Sequence, residues 1–499
     1  MKNKHFYLMA FLVLILVGCK KMDYAAESED MTVVATTDEI PEENISEPNT
    51  ESYAGLEENP FESPKKSPLS TFSIDVDNAS YTNIRRFINE GQKVPKDAVR
   101  VEEMMNFFKY NYPQPEGQHP FSINTELSDS PWNKNSQLLK IGLQGKNIPM
   151  TNLPNSNLVF LIDVSGSMDE ANKLPLLKES MKILVKELRP QDKVSIVVYA
   201  GSAGVVLEPT SGDQKDEILD AFDNLSAGGS TAGGEGIELA YKLAEQNFIK
   251  EGNNRVIIAT DGDFNVGAST DADMEKLIEE KRKSGVFLTV LGYGMGNGNY
   301  AYIDNIQEAN RFLGKEFKGS MFAIAKDVKI QIEFNPKHVQ AYRLIGYENR
   351  RLKDEDFKND AVDAGELGSG HTVTALYEII PTGVESDYVS SDLKYTKVKT
   401  DETNYSDELA TIKFRYKKPD GDRSIEMVNV IANNKIALEQ SSSDFKFTSA
   451  VAWFGLKLRD SKFISNSSGS DIKRLAKSGL SNDDEGYRAE FIRLVDAVN

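Results

Sequence analysis

The sequence predicts an α/β protein: a Rossmann-like, doubly wound sheet combined with a β-sandwich and with helical segments at both ends. Three observations lead to this prediction. Between residues 157 and 326, short buried strands alternate with amphipathic helices, which is typical of a mostly parallel sheet covered on both faces. Strand-like segments with alternating polarity lie before and after this region. Residues 69–115 and 441–499 instead carry apolar residues at helical spacing.

The chain begins like an exported bacterial protein. Lys2 and Lys4 precede an apolar run over residues 6–17, which is too short for a membrane-spanning helix of about 20 residues. The run ends in Leu-Val-Gly-Cys, which resembles a lipobox with cleavage before Cys19. Residues 1–18 are therefore predicted to be a lipoprotein signal peptide, and an acylated Cys19 to anchor the chain in a membrane. The alternative is an ordinary signal peptide followed by a chance cysteine.

An acidic, polar segment over residues 19–68 is predicted to be a disordered tether. Thirteen Asp or Glu and no Lys or Arg lie between Asp23 and Glu62, so this segment carries much of the net charge of −19. Such a charge argues against nucleic acid as a partner, because phosphate binding needs basic patches. Lys20 directly after the cysteine resembles the sorting signal of outer-membrane lipoproteins. We therefore expect a cell-envelope protein, on either the periplasmic or the surface face.

Two small helical modules are predicted at the ends of the folded part. In residues 69–115, one helix is expected from Asn78 or Ser80 to Glu90 and a second over residues 97–110, each with one apolar face. Asp75 and Asp77, ahead of the first helix, are interpreted as a turn rather than as a metal site. Residues 441–499 carry two further apolar stripes and are predicted to form a C-terminal helical module.

A β-sandwich is predicted from strands that lie on both sides of the α/β region. Residues 116–156 contain two half-exposed strands, and residues 327–440 contain at least four more. The economical interpretation is one sandwich into which the α/β domain, residues 157–326, is inserted. Sequence does not reveal which of these strands pair.

Oxygen-bearing side chains follow two buried strands of the α/β region. One strand ends at Asp163 and is followed by Ser165 and Ser167; the other ends at Asp261. A glycine-rich loop between them carries Thr231. The carboxyl ends of parallel strands meet at one edge of a sheet, which is where α/β proteins place their ligands. Oxygen ligands of this kind suit Mg²⁺ or Mn²⁺, and also Ca²⁺, better than Zn²⁺.

This set of residues resembles the metal-ion-dependent adhesion site of the von Willebrand factor type A family. The resemblance rests on Asp163-x-Ser165-x-Ser167, then Thr231, then Asp261, in the family's order. It implies that the two serines bind the metal directly and that Thr231 does so directly or through water. Asp163 and Asp261 would hold waters and orient the hydroxyls. One coordination position would stay open for an Asp or Glu of a protein partner.

Three functions remain open at this point. The first is metal-dependent protein binding on the cell envelope, the second a structural envelope protein with a vestigial metal site, and the third a metal-dependent hydrolase. No enzyme is expected, because none of the three histidines of the mature chain lies near a motif aspartate (His119, His338 and His371). No nucleotide is expected either, because Gly292–Gly298 does not fit Gly-x-Gly-x-x-Gly. The substitution Asp163→Ala is expected to abolish metal and partner binding with little effect on the fold, because it alters a surface loop.

Overall fold

The computed structural model describes most of the chain from residue 53 onwards. The described residues are 53, 55–229, 233–262, 281, 284–294, 301–317, 322–388, 405, 407–419, 421–464, 468–481 and 483–498. The predicted signal peptide, Cys19 and Thr231 lie outside them. No helix within the described ranges is long and apolar enough to cross a membrane.

Sixteen strands and nine helices are found in the described part of the chain. The strands are β1 (Leu69–Ser73), β2 (Phe121–Asp129), β3 (Gln137–Gly145), β4 (Ser156–Asp163), β5 (Lys193–Ala200), β6 (Ser202–Ser211), β7 (Asn253–Thr260), β8 (Phe287–Tyr293), β9 (Ala301–Ile303), β10 (Ala323–Phe334), β11 (Val339–Ile345), β12 (Gly365–Gly368), β13 (Thr372–Pro381), β14 (Glu408–Lys417), β15 (Ser424–Ala432) and β16 (Lys435–Ile436). The helices are α1 (Ala79–Asn89), α2 (Val101–Asn106), α3 (Leu174–Glu187), α4 (Lys215–Asp223), α5 (Gly233–Gln246), α6 (Ile306–Ala309, continued by a π-helix over Asn310–Glu316), α7 (Ser443–Leu458), α8 (Gly469–Ser478) and α9 (Tyr487–Ala497).

A six-stranded sheet forms the centre of the α/β region. Its order is β6-β5-β4-β7-β8-β9, and all neighbours are parallel except β5 and β6. Helices α3 and α4 cover one face, where Leu177 and Phe222 pack with Phe160. Helix α5 covers the other face, where Ile237 packs with Val159. Because the odd and even residues of β4 are both buried, the strand reads as a continuous apolar run. The predicted Rossmann-like α/β fold is confirmed.

Two five-stranded sheets form the sandwich. One has the order β1-β10-β14-β15, with β12 attached to β10, and the other the order β11-β13-β3-β2-β16. Their facing side chains share one apolar core, which contains Phe72 and Ile412 of the first sheet and Ile141 and Val373 of the second. Strands β2 and β3 precede the six-stranded sheet in the chain, whereas their neighbour β13 follows it. The α/β region is therefore inserted into the sandwich.

The helices near the two ends of the chain share a single core. Side chains of α1 and α2 pack with side chains of α7, α8 and α9, and one side of this core rests on the sandwich through Leu138 and Leu376. Phe108 of the segment after α2 makes edge-to-face contacts with Phe447 and Phe491. The segments 69–115 and 441–499 thus form one helical unit, and the first of them also contributes β1 to the sandwich.

The acidic tether ends earlier than the sequence predicts. Asn59 is buried and donates two hydrogen bonds, to the carbonyl oxygens of Leu344 and Gly346, at 3.1 and 2.8 Å. Phe61 stacks on Tyr388. The prediction of a tether through residue 68 is therefore wrong for residues 59–68, because a few specific contacts hold a segment that has no apolar periodicity.

Asp75 and Asp77 form a turn, as the sequence indicates. The backbone N–H of Asp77 donates to Asp75 Oδ1 at 2.9 Å. Arg350 reaches both carboxylates, with Nε 2.9 Å from Asp75 Oδ2 and Nη2 2.8 Å from Asp77 Oδ2. A guanidinium thus takes the place between the two acids that a metal would need.

Two further acids are buried beside this turn. Burial raises the pKa of Glu102 to about 7, and Glu348 and Asp75 add repulsion. Burial also raises the pKa of Glu103 to about 8, again with repulsion from Asp75, although the backbone N–H of Ser80 donates to its carboxylate. The cationic groups near them are Arg100, Arg350 and Arg459. Both carboxyl groups therefore keep a proton in the folded state at pH values where the unfolded chain has lost it.

Stability is expected to fall as the pH rises from about 5 to about 8. A raised acid pKa means that the folded state binds more protons than the unfolded state in this window, so each rise in pH favours unfolding. The double substitution Glu102→Gln and Glu103→Gln should flatten this slope, whereas Glu116→Gln at an exposed position should keep it. Thermal unfolding in EDTA between pH 5 and pH 8 measures the slope. Equal slopes for the wild type and the double variant would contradict the assignment.

Candidate metal centre

Asp163 is the last residue of β4 and lies at the carboxyl edge of the six-stranded sheet. Its carboxylate is buried and accepts three hydrogen bonds. Oδ1 accepts from the Ser165 backbone N–H at 2.9 Å, while Oδ2 accepts from the hydroxyls of Tyr199 at 3.1 Å and Thr260 at 3.2 Å. Burial raises the pKa of Asp163, although its hydrogen bonds with Ser165 and Tyr199 oppose the shift. The three hydrogen bonds thus fix the orientation of the carboxylate, and all three donors are uncharged.

Ser165 and Ser167 follow on the turn after β4. Ser165 is extended, and a short 3-10 helix begins at Gly166. The two serine Oγ atoms lie 3.0 Å apart, so both hydroxyls converge on one point beside Asp163. Ser165 is buried and Ser167 is exposed, which leaves the pair open to solvent on one side.

Asp261 follows β7, the strand next to β4. Only 5% of Asp261 is exposed, and its Oδ1 is a buried atom without a hydrogen-bond partner in the described chain. Gly262 follows with a φ of +105°, a region that favours glycine, so the chain turns sharply away from the edge. A buried carboxylate oxygen with no donor is costly, and it is the group that a bound cation would satisfy.

The glycine-rich loop ahead of α5 is packed against the serine turn. The Gly228 N–H donates to the Val164 carbonyl oxygen at 2.7 Å, and the Gly166 N–H donates to the Gly229 carbonyl oxygen at 3.1 Å. Thr231, two positions further on, lies outside the described residues. The structure therefore brings four of the five predicted residues to one edge and fixes the loop that leads to the fifth.

Sequence analysis missed one charged group at this edge, Lys173. Its Nζ lies 3.3 Å from Asp261 Oδ2 and donates to the Ser167 carbonyl oxygen and to Glu170 Oε1, both at 3.0 Å. Burial opposes the charged form, but Glu170 and Asp261 prevail and raise the pKa of Lys173. A lysine just ahead of a helix has no sequence signal that would distinguish it from a solvent-exposed one.

The donor set at this edge fits a hard divalent cation. Ser165 Oγ and Ser167 Oγ are neutral oxygens that could bind the ion, and Asp163 and Asp261 supply two negative charges around it. No histidine or cysteine faces this edge among the described residues, so the site suits Mg²⁺, Mn²⁺ or Ca²⁺ rather than Zn²⁺.

Comparison with known families identifies this region. A family model described as "von Willebrand factor type A domain" matches residues 157–327. A model described as "von Willebrand factor" matches residues 47–140, and one described as "Uncharacterized protein YfbK, C-terminal" matches residues 319–499. The protein YfbK of Escherichia coli strain K12 is 44% identical over 481 residues, covering 91% of this chain and 82% of that protein. The chain belongs to the YfbK family of von Willebrand factor type A domain proteins.

Two further similarities have lower sequence identity. Inter-alpha-trypsin inhibitor heavy chain H3 of Bos taurus is 29% identical over 170 residues, which is 32% of this chain and 18% of that protein. The solved structure "von Willebrand factor type A from Catenulispora acidiphila" has 16% identity and a TM-score of 0.40, covering 77% of this chain and 99% of that one. Von Willebrand factor type A domains often mediate protein–protein interactions, are generally not enzymes and commonly bind a divalent metal.

Three histidines of this YfbK-family chain belong to the sandwich. His119 Nδ1 is 2.8 Å from the Tyr416 hydroxyl, and His371 lies in the turn between β12 and β13, where burial lowers its pKa. His338 lies in the turn between β10 and β11. None of the three is on the sheet that carries Asp163, so among the described residues no imidazole lies at this edge to act as a general base.

Proposed function

We propose that this chain is a lipid-anchored protein of the bacterial cell envelope that captures a protein partner through a divalent metal ion. The partner would supply an Asp or Glu as the last metal ligand. The observation that carries the proposal is the convergence of Asp163, Ser165, Ser167 and Asp261 at one sheet edge, where the buried Asp261 Oδ1 atom has no hydrogen-bond partner in the described part of the chain. Thr231 is the proposed fifth residue of the site.

The charge balance of the site favours an acidic partner. Two carboxylates would lie near the divalent ion, and its hydroxyl ligands are neutral. The ion could therefore bind a further, negatively charged ligand. The exposed side of Ser167 leaves room for an approaching side chain. Water is expelled when a partner docks, which strengthens the contact between its carboxylate and the metal. Mg²⁺ is the proposed ion, with Mn²⁺ and Ca²⁺ as substitutes.

The location is proposed from the start of the chain. The lipobox-like sequence ending at Cys19 would place lipid chains on this residue, and Lys20 favours the outer membrane. The acidic segment after it would hold the folded part away from the membrane surface, because like charges favour an extended chain. No nucleic acid or nucleotide is proposed as a partner.

One observation favours a second candidate, a structural envelope protein whose metal site is vestigial. The ammonium group of Lys173 already neutralises one oxygen of Asp261. In that case the domain would fold and assemble without a metal, and chelation would change nothing.

Chelation separates the two candidates. The protein, expressed with its own leader and recovered from the membrane fraction, is expected to retain an envelope partner in Mg²⁺ and to release it in EDTA, with recapture when Mn²⁺ is added. Retention in EDTA favours the structural candidate and contradicts the adhesion proposal. Recovery of the chain in the soluble fraction contradicts the lipid anchor.

A further inference from the structure

Lys173 lies inside the proposed metal site rather than beside it. Its side chain is about one-tenth exposed, and its Nζ makes three contacts: with Asp261 Oδ2 at 3.3 Å, the Ser167 carbonyl oxygen at 3.0 Å and Glu170 Oε1 at 3.0 Å. An ammonium group has three N–H donors, so these contacts use all of them. Two of the three partners, Asp261 and Ser167, are residues of the proposed metal site. The ammonium group therefore supplies positive charge to the carboxylate of Asp261, as a bound metal ion would.

The aliphatic stem of Lys173 lies close to Gly294, the residue directly after β8. Gly294 has a φ of +76°, and its N–H donates to the Asn172 carbonyl oxygen at 3.1 Å. A Cβ on Gly294 would lie 2.5 Å from Lys173 Cε and 2.6 Å from Lys173 Cγ. A glycine is therefore needed at this position for the lysine to reach Asp261.

A divalent ion and this ammonium compete for the same carboxylate. The Asp261 Oδ1 atom has no partner among the described residues and Oδ2 faces Lys173, so a metal close to Oδ1 would lie within a few ångströms of the ammonium charge. Two cations at such a distance in a partly buried site repel each other strongly. The flexible stem of a lysine lets Nζ move away, and Glu170, which is 65% exposed, offers the ammonium a place outside the site.

We propose that Lys173 is an internal cation that holds Asp261 in the metal-free state and is displaced from it when the divalent ion binds. This inference rests on the proposed metal-dependent function and adds the residue that sets the affinity of the site. Because displacement costs free energy, the site binds its metal weakly until the partner's carboxylate adds a ligand. Metal binding and partner capture are thereby coupled.

The substitution Lys173→Met is expected to lower the dissociation constant for Mn²⁺ alone by about tenfold or more, because it removes one competing charge at contact distance. Methionine keeps an unbranched stem against Gly294. The control is Lys182→Met, which removes an equally charged side chain of α3 that pairs with Glu179 outside the site. Isothermal titration on full-length, chelator-treated protein measures the affinity. Thermal unfolding gives a second readout: the variant should gain more stability from Mn²⁺ than the wild type gains.

Gly294→Ala tests the same point without altering the charge. Its methyl group should push Lys173 off Asp261 and strengthen Mn²⁺ binding in the same direction as Lys173→Met. If the wild type binds Mn²⁺ and the folded variants bind it equally or more weakly, the inference about Lys173 is wrong, whereas the proposed metal-dependent function stands. If neither the wild type nor Lys173→Met binds Mn²⁺, the proposed metal-dependent function falls, and this inference falls with it.

Discussion

The substitution Asp163→Asn is expected to raise the dissociation constant for Mn²⁺ by about 100-fold and to abolish partner capture, while the fold stays intact. It removes one of the two negative charges that face the ion. The amide oxygen can still accept the Ser165 N–H, and the amide nitrogen can donate to the hydroxyl oxygens of Tyr199 and Thr260. Titration with Mn²⁺ and thermal unfolding of the metal-free protein measure the two effects.

The alanine substitution is a poorer test than the sequence suggested. The assumption that Asp163 lies in a surface loop is wrong, because its carboxylate is fully buried and accepts three hydrogen bonds. Asp163→Ala would leave these donors without an acceptor, which costs about 1–3 kcal/mol for each buried group. It would therefore lose stability together with metal binding.

Asp169→Asn is the matched control for the asparagine variant. Asp169 lies in the same loop and is exposed, so the same change of charge there should leave Mn²⁺ affinity within a factor of about two. If the Asp163→Asn variant bound Mn²⁺ as tightly as the wild type, the proposed metal site would be wrong. A loss of affinity in both variants would mean that general charge, not the position of Asp163, governs binding.

The metal edge could be predicted because its signals are local. An apolar run that ends in Asp163, and a second one that ends in Asp261, each specify a buried strand followed by a carboxylate. Parallel strands end at the same edge of a sheet, so the two acids converge without any knowledge of the strand order. The serines need only the turn that follows Asp163. For these residues, local pattern and the geometry of parallel sheets were sufficient.

Other features depend on contacts between distant parts of the chain. The apolar faces of α1 and α9 can be predicted from the spacing of apolar residues. This spacing does not reveal that the two helices pack in the same core. The position of Lys173 on Asp261 depends on how α3 begins and on the glycine at position 294. Strand β15, which was not predicted, exposes Val428 and Val430 at the edge of a sandwich sheet and so lacks the usual polar outer face.

A buried ion-pair network joins the helical unit to the type A domain. Arg85 of α1 is 2% exposed, and its Nε and Nη2 donate to the two carboxylate oxygens of Asp304 at 2.9 and 2.6 Å. Its Nη2 also lies 3.0 Å from Glu308 Oε2, and its Nη1 lies 3.3 Å from Glu490 Oε2 of α9. Asp304 directly follows β9, which runs parallel to β8, so this network lies on the same sheet edge as the metal site. One guanidinium thus compensates acids from two parts of the molecule.

Arg85→Met is expected to lower the free energy of unfolding by about 3–5 kcal/mol, because it leaves Asp304 as a buried acid without its guanidinium partner, whereas Glu308 keeps its ion pair with Arg311. Burial already raises the pKa of Asp304, and Arg85 opposes that shift, so the variant should take up protons on folding. Its destabilisation should therefore be larger at pH 8 than at pH 5, since a raised acid pKa costs stability as the pH increases. Denaturant unfolding at both pH values measures this difference.

Arg493→Met tests whether the effect comes from burial of the charge. Arg493 of α9 also reaches α1, where its Nη2 donates to Asn89 Oδ1 at 2.9 Å, but its side chain is 55% exposed. An exposed pair contributes little, so its loss should cost no more than about 1 kcal/mol. Adding Asp304→Asn to Arg85→Met should restore part of the lost stability, because it removes the acid that the first substitution leaves without its guanidinium partner. Equal losses in Arg85→Met and Arg493→Met, or no recovery in the double variant, would show that general contacts between the helices, rather than this network, hold the two parts together.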